Sequence, residues 1–276
     1  MTSVTRFAPS PTGLMHLGHA YSALYAAARG ARFILRMEDI DPGRCRPEFD
    51  TAVLEDLAWL GLEWETPVRR QSEHMADYAG ALARLEEMDL LYPCFCTRKD
   101  IRAEIEAAGH APHGPDGPLY PGICRQMDAG ERAERLASGE SHALRLKADA
   151  AARQAGPLTW RDAGRGEQAA RPDMFGDVVL ARKDTPTSYH LAVTVDDHLQ
   201  GVTIVTRGDD LFEASHLHRL LQALLDLETP AYDHHRLLTG DDGKRFAKRD
   251  KALTLRSLRE AGRTPEEVRA LAGWED

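Results

Sequence analysis

His16 and His19 stand three residues apart with Gly18 between them, after Pro9-Ser10-Pro11-Thr12-Gly13 and at the head of an alanine-rich stretch. The start of a helix carries free backbone N–H groups and partial positive charge, so it suits an anion such as a phosphate. Imidazole donors there can stabilise the charge that builds up as phosphorus is displaced, and Gly18 lets a ligand approach the backbone. An ordinary structural reading exists beside this one: His16 caps the turn and His19 packs on the helix. A second cationic feature is the loop Gly243-Lys244-Arg245-Phe246-Ala247-Lys248-Arg249-Asp250. Taken alone, such a loop is solvated surface. A third feature is Cys94-Phe95-Cys96 with Tyr120-Pro121-Gly122-Ile123-Cys124. Zinc in a structural role takes a closed tetrahedron of thiolates and imidazoles. Three thiolates need a fourth donor, and His110 and His113 are the usual type. Cys45 lies far off in sequence.

These residues need a scaffold. Val4 to Ala8 reads as a strand, Leu17 to Ala28 as a helix ended by Gly30, and Phe33 to Met37 as a second, parallel strand. That succession is a βαβ unit. Helices follow near Phe49–Leu60 and Ala76–Met88, the first with Leu54, Leu57, Ala58 and Leu60 at helical spacing. From about Tyr92 to Glu167 the composition changes, with prolines and glycines gathered between Gly109 and Gly122, which reads as an insert. Strand-like α/β patterning returns at Gly176–Arg182 and Gly201–Arg207, with helix near Ser215–Leu227 and a short helical tail from Ala252 to Asp276. The expected architecture is one α/β region: 1–92 as the first half of a nucleotide-binding fold, 93–175 as a metal-bearing insert, and 176–276 as the second half. No internal repeat is present.

The 276 residues carry a formal net charge of −9, which disfavours nonspecific duplex binding but leaves room for local basic surface such as Arg98, Lys99 and Arg102. No apolar run reaches the roughly 18–20 residues of a membrane span, and the first residues lack the apolar core of a signal peptide. A cytoplasmic chain without membrane contact is expected, and a monomer. Four cysteines are few for a disulfide scaffold, and three of them cluster, which points to metal.

His16-Leu17-Gly18-His19 resembles the first signature of class I aminoacyl-tRNA synthetases. Arg6-Phe7-Ala8-Pro9-Ser10-Pro11-Thr12-Gly13 and Leu35-Arg36-Met37-Glu38-Asp39-Ile40-Asp41 resemble the glutamyl branch of that family, as do Ser188–Gly201 and Thr206–Leu211. Arg245-Phe246-Ala247-Lys248-Arg249 stands where the family has its Lys-Met-Ser-Lys-Ser loop. The first lysine is arginine here and the serine is Ala247, which removes a hydroxyl hydrogen bond and leaves the Lys248 charge. The resemblance implies a Rossmann-type parallel sheet, ATP and Mg²⁺, catalytic His16, His19 and Lys248, and ATP contacts from those three and Gly18. It implies glutamate contacts from Arg6, Phe7, Ala8, Pro9, Ser10, Glu38, Tyr189 and Arg207. Chemically, an arginine suits a carboxylate, and Glu38 suits the ammonium. The same resemblance makes Tyr120 the fourth ligand of a structural Zn²⁺ beside Cys94, Cys96 and Cys124, with His110 and His113 as the alternatives. No anticodon-binding domain is expected after the Lys248 loop, and such a truncated form resembles the family that attaches glutamate to queuosine in the anticodon loop of tRNA(Asp). Two other readings stay open. One is the same chemistry on a tRNA 3′ end or a carrier protein. The other, suggested by Arg245-Phe246-Ala247, is a binding protein without catalysis.

Overall fold

The computed structural model describes residues 2–107, 113–238 and 254–274. The first part alternates strand and helix: β1 (Val4–Phe7), α1 (Leu17–Arg29), β2 (Arg32–Met37), α2 (Pro47–Trp59), β3 (Glu65–Arg70) and α3 (Met75–Glu87). β1 is buried along its whole length, as an inner strand of a parallel sheet must be. It pairs parallel with β2, from Val4 opposite Arg32 to Phe7 opposite Leu35. Gly30 ends α1 as expected, but in an extended conformation. A Cβ there would come within 2.4 Å of the Thr5 hydroxyl and 2.5 Å of the Arg32 carbonyl oxygen. Close packing, not a left-handed turn, therefore demands this glycine. β3 has no counterpart among the expected strands. Its sequence, Glu65-Thr66-Pro67-Val68-Arg69-Arg70, lacks an apolar run because it is a largely solvated edge strand.

The middle of the chain holds β4 (Leu91–Cys94), α4 (Arg98–Ala107), β5 (His113–Gly114), β6 (Gly117–Pro118), α5 (Ala129–Ala137), β7 (Ala143–Leu146), α6 (Ala148–Ala155), β8 (Thr159–Asp162), β9 (Gly166–Ala169) and β10 (Val179–Ala181). After them come α7 (Tyr189–Leu199), β11 (Ile204–Gly208), α8 (Ala214–Leu224), β12 (Ala231–His235), α9 (Leu255–Glu260) and α10 (Pro265–Leu271). β4, β7 and β10 make a small antiparallel sheet with β7 in the centre. The sheets run across the expected edges of the insert. β10, read as part of the returning parallel fold, pairs with β7. β8, read as insert, pairs parallel with β12 and carries β9 as a hairpin. A short buried apolar run has the same pattern in either sheet, so periodicity does not reveal its partner.

β11 pairs parallel with β12. Beside it lies β1, held by Thr203 N donating to the Val4 carbonyl at 3.0 Å and Val4 N donating to the Thr203 hydroxyl at 2.8 Å. The resulting layer runs β3-β2-β1-β11-β12-β8. Chain order reverses between β1 and β11, the place where open α/β sheets bind ligands at their strand C-termini. The tail packs back onto this layer: Leu255, Leu258, Val268 and Ala272 join the cluster formed by α1, β2 and α2. Among the described residues no helix is long and apolar enough to cross a membrane.

Candidate active site

A cleft of about 730 Å³ opens at that reversal. Its walls are the end of β1 and the turn after it (Arg6 to Ser10), the start of α1 (His16, Gly18, His19), Glu38 after β2, Tyr189 at the head of α7, and Thr206 to Gly208 at the end of β11. Every residue expected to touch glutamate or ATP is therefore gathered here, with one exception. Lys248 and its whole loop lie outside the described residues. The described chain leads toward that loop from Leu237 and Leu238 on the cleft wall and resumes at Thr254, which bridges to His16.

His16 takes the capping role foreseen for it. Its Nδ1 accepts from Gly18 N at 3.1 Å, capping α1, while His19 Nδ1 accepts from His16 N at 3.2 Å. Because both Nδ1 atoms accept, both rings carry their proton on Nε2. The two rings lie 3.9 Å apart between centroids, tilted by 34°. The helix cap thus fixes the tautomers that make two donors beside the cleft. A Cβ on Gly18 would stand 3.0 Å from His16 Cε1. The glycine clears room for this ring.

Two arginines reach the cleft in different states. Arg6 Nε donates to Asp197 Oδ1 at 2.9 Å and its Nη1 to the Thr206 carbonyl at 2.8 Å. A side-on, two-point grip through Nε is therefore taken. Arg207, also buried, has no ion pair among the described residues. Its Nη1 donates to His218 Nδ1 at 3.1 Å, its Nη2 to the Ser215 hydroxyl at 2.5 Å and its Nε to His234 Nε2 at 3.3 Å. Burial and the adjacent guanidinium hold His218 well below the usual histidine range, and His234 is lowered to about 4 by the same two causes. Both imidazoles are thus neutral near pH 7, and neither adds a charge beside Arg207. Tyr189 stands between, its hydroxyl pKa raised by burial against the opposing pull of Arg207. Glu38 is also pushed up, chiefly by burial, with Arg36 and Arg6 drawing it back. Arg36 Nη2 donates to Glu38 at 3.2 Å, and Glu38 N donates to the Pro9 carbonyl at 2.9 Å. The carboxylate is thereby aimed from below.

The cysteines meet away from this cleft. Cys94 ends β4, Cys96 follows by two, and Cys124 sits in the turn after Gly122, whose φ of 84° is the left-handed conformation glycine favours. The three sulfurs lie within 4.8 Å of one another. Tyr120 Oη is 3.5 Å from both Cys94 Sγ and Cys96 Sγ, and Cys96 and Cys124 are 3.3 Å apart. Zinc–sulfur and zinc–oxygen bonds of about 2.3 and 2.0 Å in a tetrahedron give edges of roughly 3.8 Å and 3.5 Å. The donor set therefore fits a zinc ion with modest expansion. The Arg145 guanidinium lies over the Tyr120 ring, 3.7 Å from its centroid. His110 and the side chain of His113 lie outside the described residues.

Residues 2–273 match the family model described as the catalytic domain of class I tRNA synthetases for E and Q. The chain belongs to that family. It is 49% identical over 279 residues to a glutamyl-Q tRNA(Asp) synthetase of Rhodobacter capsulatus, covering 98% of this chain and 99% of that one. A protein of the same name from Nocardia farcinica is 45% identical, with 96% and 82% covered. Among solved structures, a glutamate tRNA ligase of Elizabethkingia meningosepticum in complex with its amino acid aligns with a TM-score of 0.74 and 30% identity, over 91% of this chain and 52% of that one. The chain thus spans about half the length of that ligase.

Several working parts of this synthetase domain went unseen in the sequence. Ser215, His218 and His234 around Arg207 were missed, as was Asp197 beneath Arg6. Asp196-Asp197 gave the best signal: two adjacent acids inside an otherwise apolar helical stretch, both buried. Arg36 was read as part of a motif. It is a fully buried cation joined to Glu38, Asp196 and Asp197, and carries that motif from beneath.

Proposed function

We propose that the chain activates L-glutamate with ATP as glutamyl-adenylate and transfers the glutamyl group to queuosine in the anticodon loop of tRNA(Asp). The observation that carries the first step is the buried Arg207, uncompensated by any carboxylate of the described residues, facing the cleft that also holds His16 and His19. Arg207 and the free edge of Arg6 bind the carboxylates of glutamate, and Glu38 holds its ammonium. Tyr189 and the turn Phe7-Ala8-Pro9-Ser10 close the pocket around it. One glutamate carboxylate oxygen attacks the α-phosphorus, and the bond to the β-phosphate breaks to release pyrophosphate. The Nε2–H groups of His16 and His19 stabilise the phosphate charge, and the start of α1 with Gly18 adds backbone N–H groups. Lys248, outside the described residues, adds its ammonium in this reading. Mg²⁺ enters with the triphosphate, and no protein ligand is assigned to it. A queuosine hydroxyl then attacks the acyl carbon and AMP leaves. No side-chain nucleophile is required. The acceptor is supported by the names of two relatives, one matched over 99% and the other over 82% of its length.

Cys94, Cys96, Tyr120 and Cys124 hold a structural Zn²⁺ in this reading, which would brace the insert without joining the chemistry. The expected setting is the cytoplasm, as a monomer.

Glutamate-dependent exchange of labelled pyrophosphate into ATP tests activation, and its absence with glutamate still bound would leave a binding protein. Labelled glutamate offered to tRNA from cells with and without queuosine tests transfer. Label confined to queuosine-bearing tRNA(Asp), with mass spectrometry locating it on the modified base, is expected. Label on the 3′ end of other tRNAs would overturn the acceptor. Metal analysis should find one zinc per chain, lost in a Cys96→Ser variant.

A further inference from the structure

Arg207 is the hub of two hydrogen-bonded chains. One is short: His234 Nδ1 meets Asp162 Oδ2 at 2.7 Å while His234 Nε2 faces Arg207 Nε. The other leads away from the amino acid pocket. Arg207 Nη1 donates to His218 Nδ1 at 3.1 Å. His218 Nε2 lies 3.1 Å from His190 Nδ1, and His190 Nε2 lies 3.2 Å from Asp116 Oδ2.

The proton inventory of this second chain has one solution. An arginine only donates, so His218 Nδ1 accepts and its proton sits on Nε2. His190 Nδ1 must then accept, and its proton sits on Nε2, facing a carboxylate that accepts. Every link depends on the previous one, so a donor and an acceptor are fixed at each step from Asp116 to Arg207. His218 is buried, and two of its ring neighbours, Tyr189 and His190, pack at 5.8 Å and 5.3 Å between centroids. Asp116 is exposed, on the turn between β5 and β6. It lines a second cleft of about 420 Å³ that shares Tyr189 and His190 with the relay's surroundings.

We propose that Asp116, acting through His190 and His218, is a positioning residue for Arg207 in the binding of the substrate carboxylate. The relay rests on the reading of Arg207 as a glutamate ligand. Its consequence is that a residue of the insert, outside the amino acid pocket, sets the direction in which the guanidinium points. Arg207 favours this pattern from one end and Asp116 holds it from the other. Without the terminal acceptor His190 can carry its proton on Nδ1, where it faces His218 Nε2–H and presses His218 toward its other tautomer. A His218 ring with its proton on Nδ1 would face Arg207 donor to donor and push it aside.

Asp116→Ala tests this, because an exposed turn residue can be truncated without disturbing the core. Nitrogen-15 spectra of the imidazoles are expected to report single tautomers for His190 and His218 in the parent protein and mixed tautomers in Asp116→Ala. In pyrophosphate exchange the KM for glutamate should rise about three- to tenfold, the scale of one ordinary hydrogen bond, because Arg207 is misdirected and not removed, with kcat within about twofold. Asp116→Asn, whose carbonyl still accepts from His190, should restore both readouts. Unchanged tautomers and unchanged KM in Asp116→Ala overturn the proposal. Mixed tautomers with an unchanged KM overturn it too, provided that Arg207→Ala weakens glutamate. If Arg207→Ala leaves glutamate untouched, the reading of the pocket fails instead, and the spectra alone decide whether the relay orders Arg207.

Discussion

Two buried arginine clusters share this cleft, and they are balanced in opposite ways. Under Glu38, the Arg36 and Arg6 guanidinium groups meet Asp197 at 2.8 Å and 2.9 Å, and Asp196 collects Arg69, Gln71 and Tyr78 around it. Asp197 stays below the usual carboxylate range because Arg6 and Arg36 outweigh the effect of burial. Each charge there has an opposite charge at contact distance. Around Arg207 the neighbours are the Ser215 hydroxyl, two neutral imidazoles and the Tyr189 phenol. The first arrangement neutralises itself and holds strands and helix together. The second orients a cation without cancelling it. A buried charge of that kind is costly unless something else supplies the counter-charge. Burial and hydrogen-bond count alone do not separate the two clusters; the chemical type of the partners does.

Removing one partner from the balanced cluster should give the largest effect. Asp197→Asn leaves Arg36 and Arg6 facing each other across a lost carboxylate, and stability should fall by about 3–5 kcal/mol, the range for breaking a buried ion pair. Thermal melting is the measurement, and an unchanged melting point would erase the contrast. Next comes Arg207→Ala. Glutamate binding should weaken by about 1.5–3 kcal/mol, the scale of a hydrogen bond to a charged group, while the melting point holds or rises because an uncompensated cation has gone. Titration calorimetry with a melting curve distinguishes this from the opposite pattern, in which stability collapses and affinity survives.

Arg6 stands between the clusters, tied to Asp197 yet lining the cleft, so it should respond in both ways at reduced size. A lysine lacks the planar fork that serves Asp197, the Thr206 carbonyl and a ligand together. Arg6→Lys should therefore cost about 1–2 kcal/mol in stability and a similar amount in glutamate affinity. An effect confined to either readout would assign Arg6 to a single cluster.

The smallest effect belongs to an anion that lacks full compensation. Asp56 is buried in α2, its carboxylate oxygens have no hydrogen bond, and the Arg259 guanidinium is 3.6 Å away. Burial pushes its carboxyl up to about 6, against Arg259 and Arg256. A carboxyl whose folded pKa is raised favours the protonated form, so stability is highest below the unfolded value and is lost as pH climbs toward 6. Asp56→Asn should raise the melting point at pH 7 by roughly 1–4 °C and leave it unchanged near pH 4. Equal shifts at both pH values would point to packing instead of charge.

Much of the cleft was legible before any fold was known. His16-Leu17-Gly18-His19, the turn from Arg6 to Ser10, Glu38, Tyr189 and Arg207 are contiguous motifs or strand ends, and all line one cavity. The cysteine pattern likewise led to a cluster with the right spacing, and Tyr120 is within it. What escaped was whatever depends on partners distant in sequence. His218 and His234 look like any histidine on a helix or at a strand end until the sheet sets them against Arg207. β3 and β12 escaped because an edge strand and a strand bearing Asp233, His234 and His235 carry no clear apolar alternation.

The sequence by itself determined the types of group and the local geometry that aims them: a capped helix start, strand-end arginines and a Cys-x-Cys with a second pair of donors. Those follow from neighbours within a few residues, where backbone geometry leaves little choice. Only the tertiary structure decided which arginine is neutralised and which stays charged. That depends on whether Asp197 or an imidazole arrives at the guanidinium from some 10 to 200 residues away. No local pattern encodes that pairing, because the energy of a buried charge is fixed by what surrounds it in space.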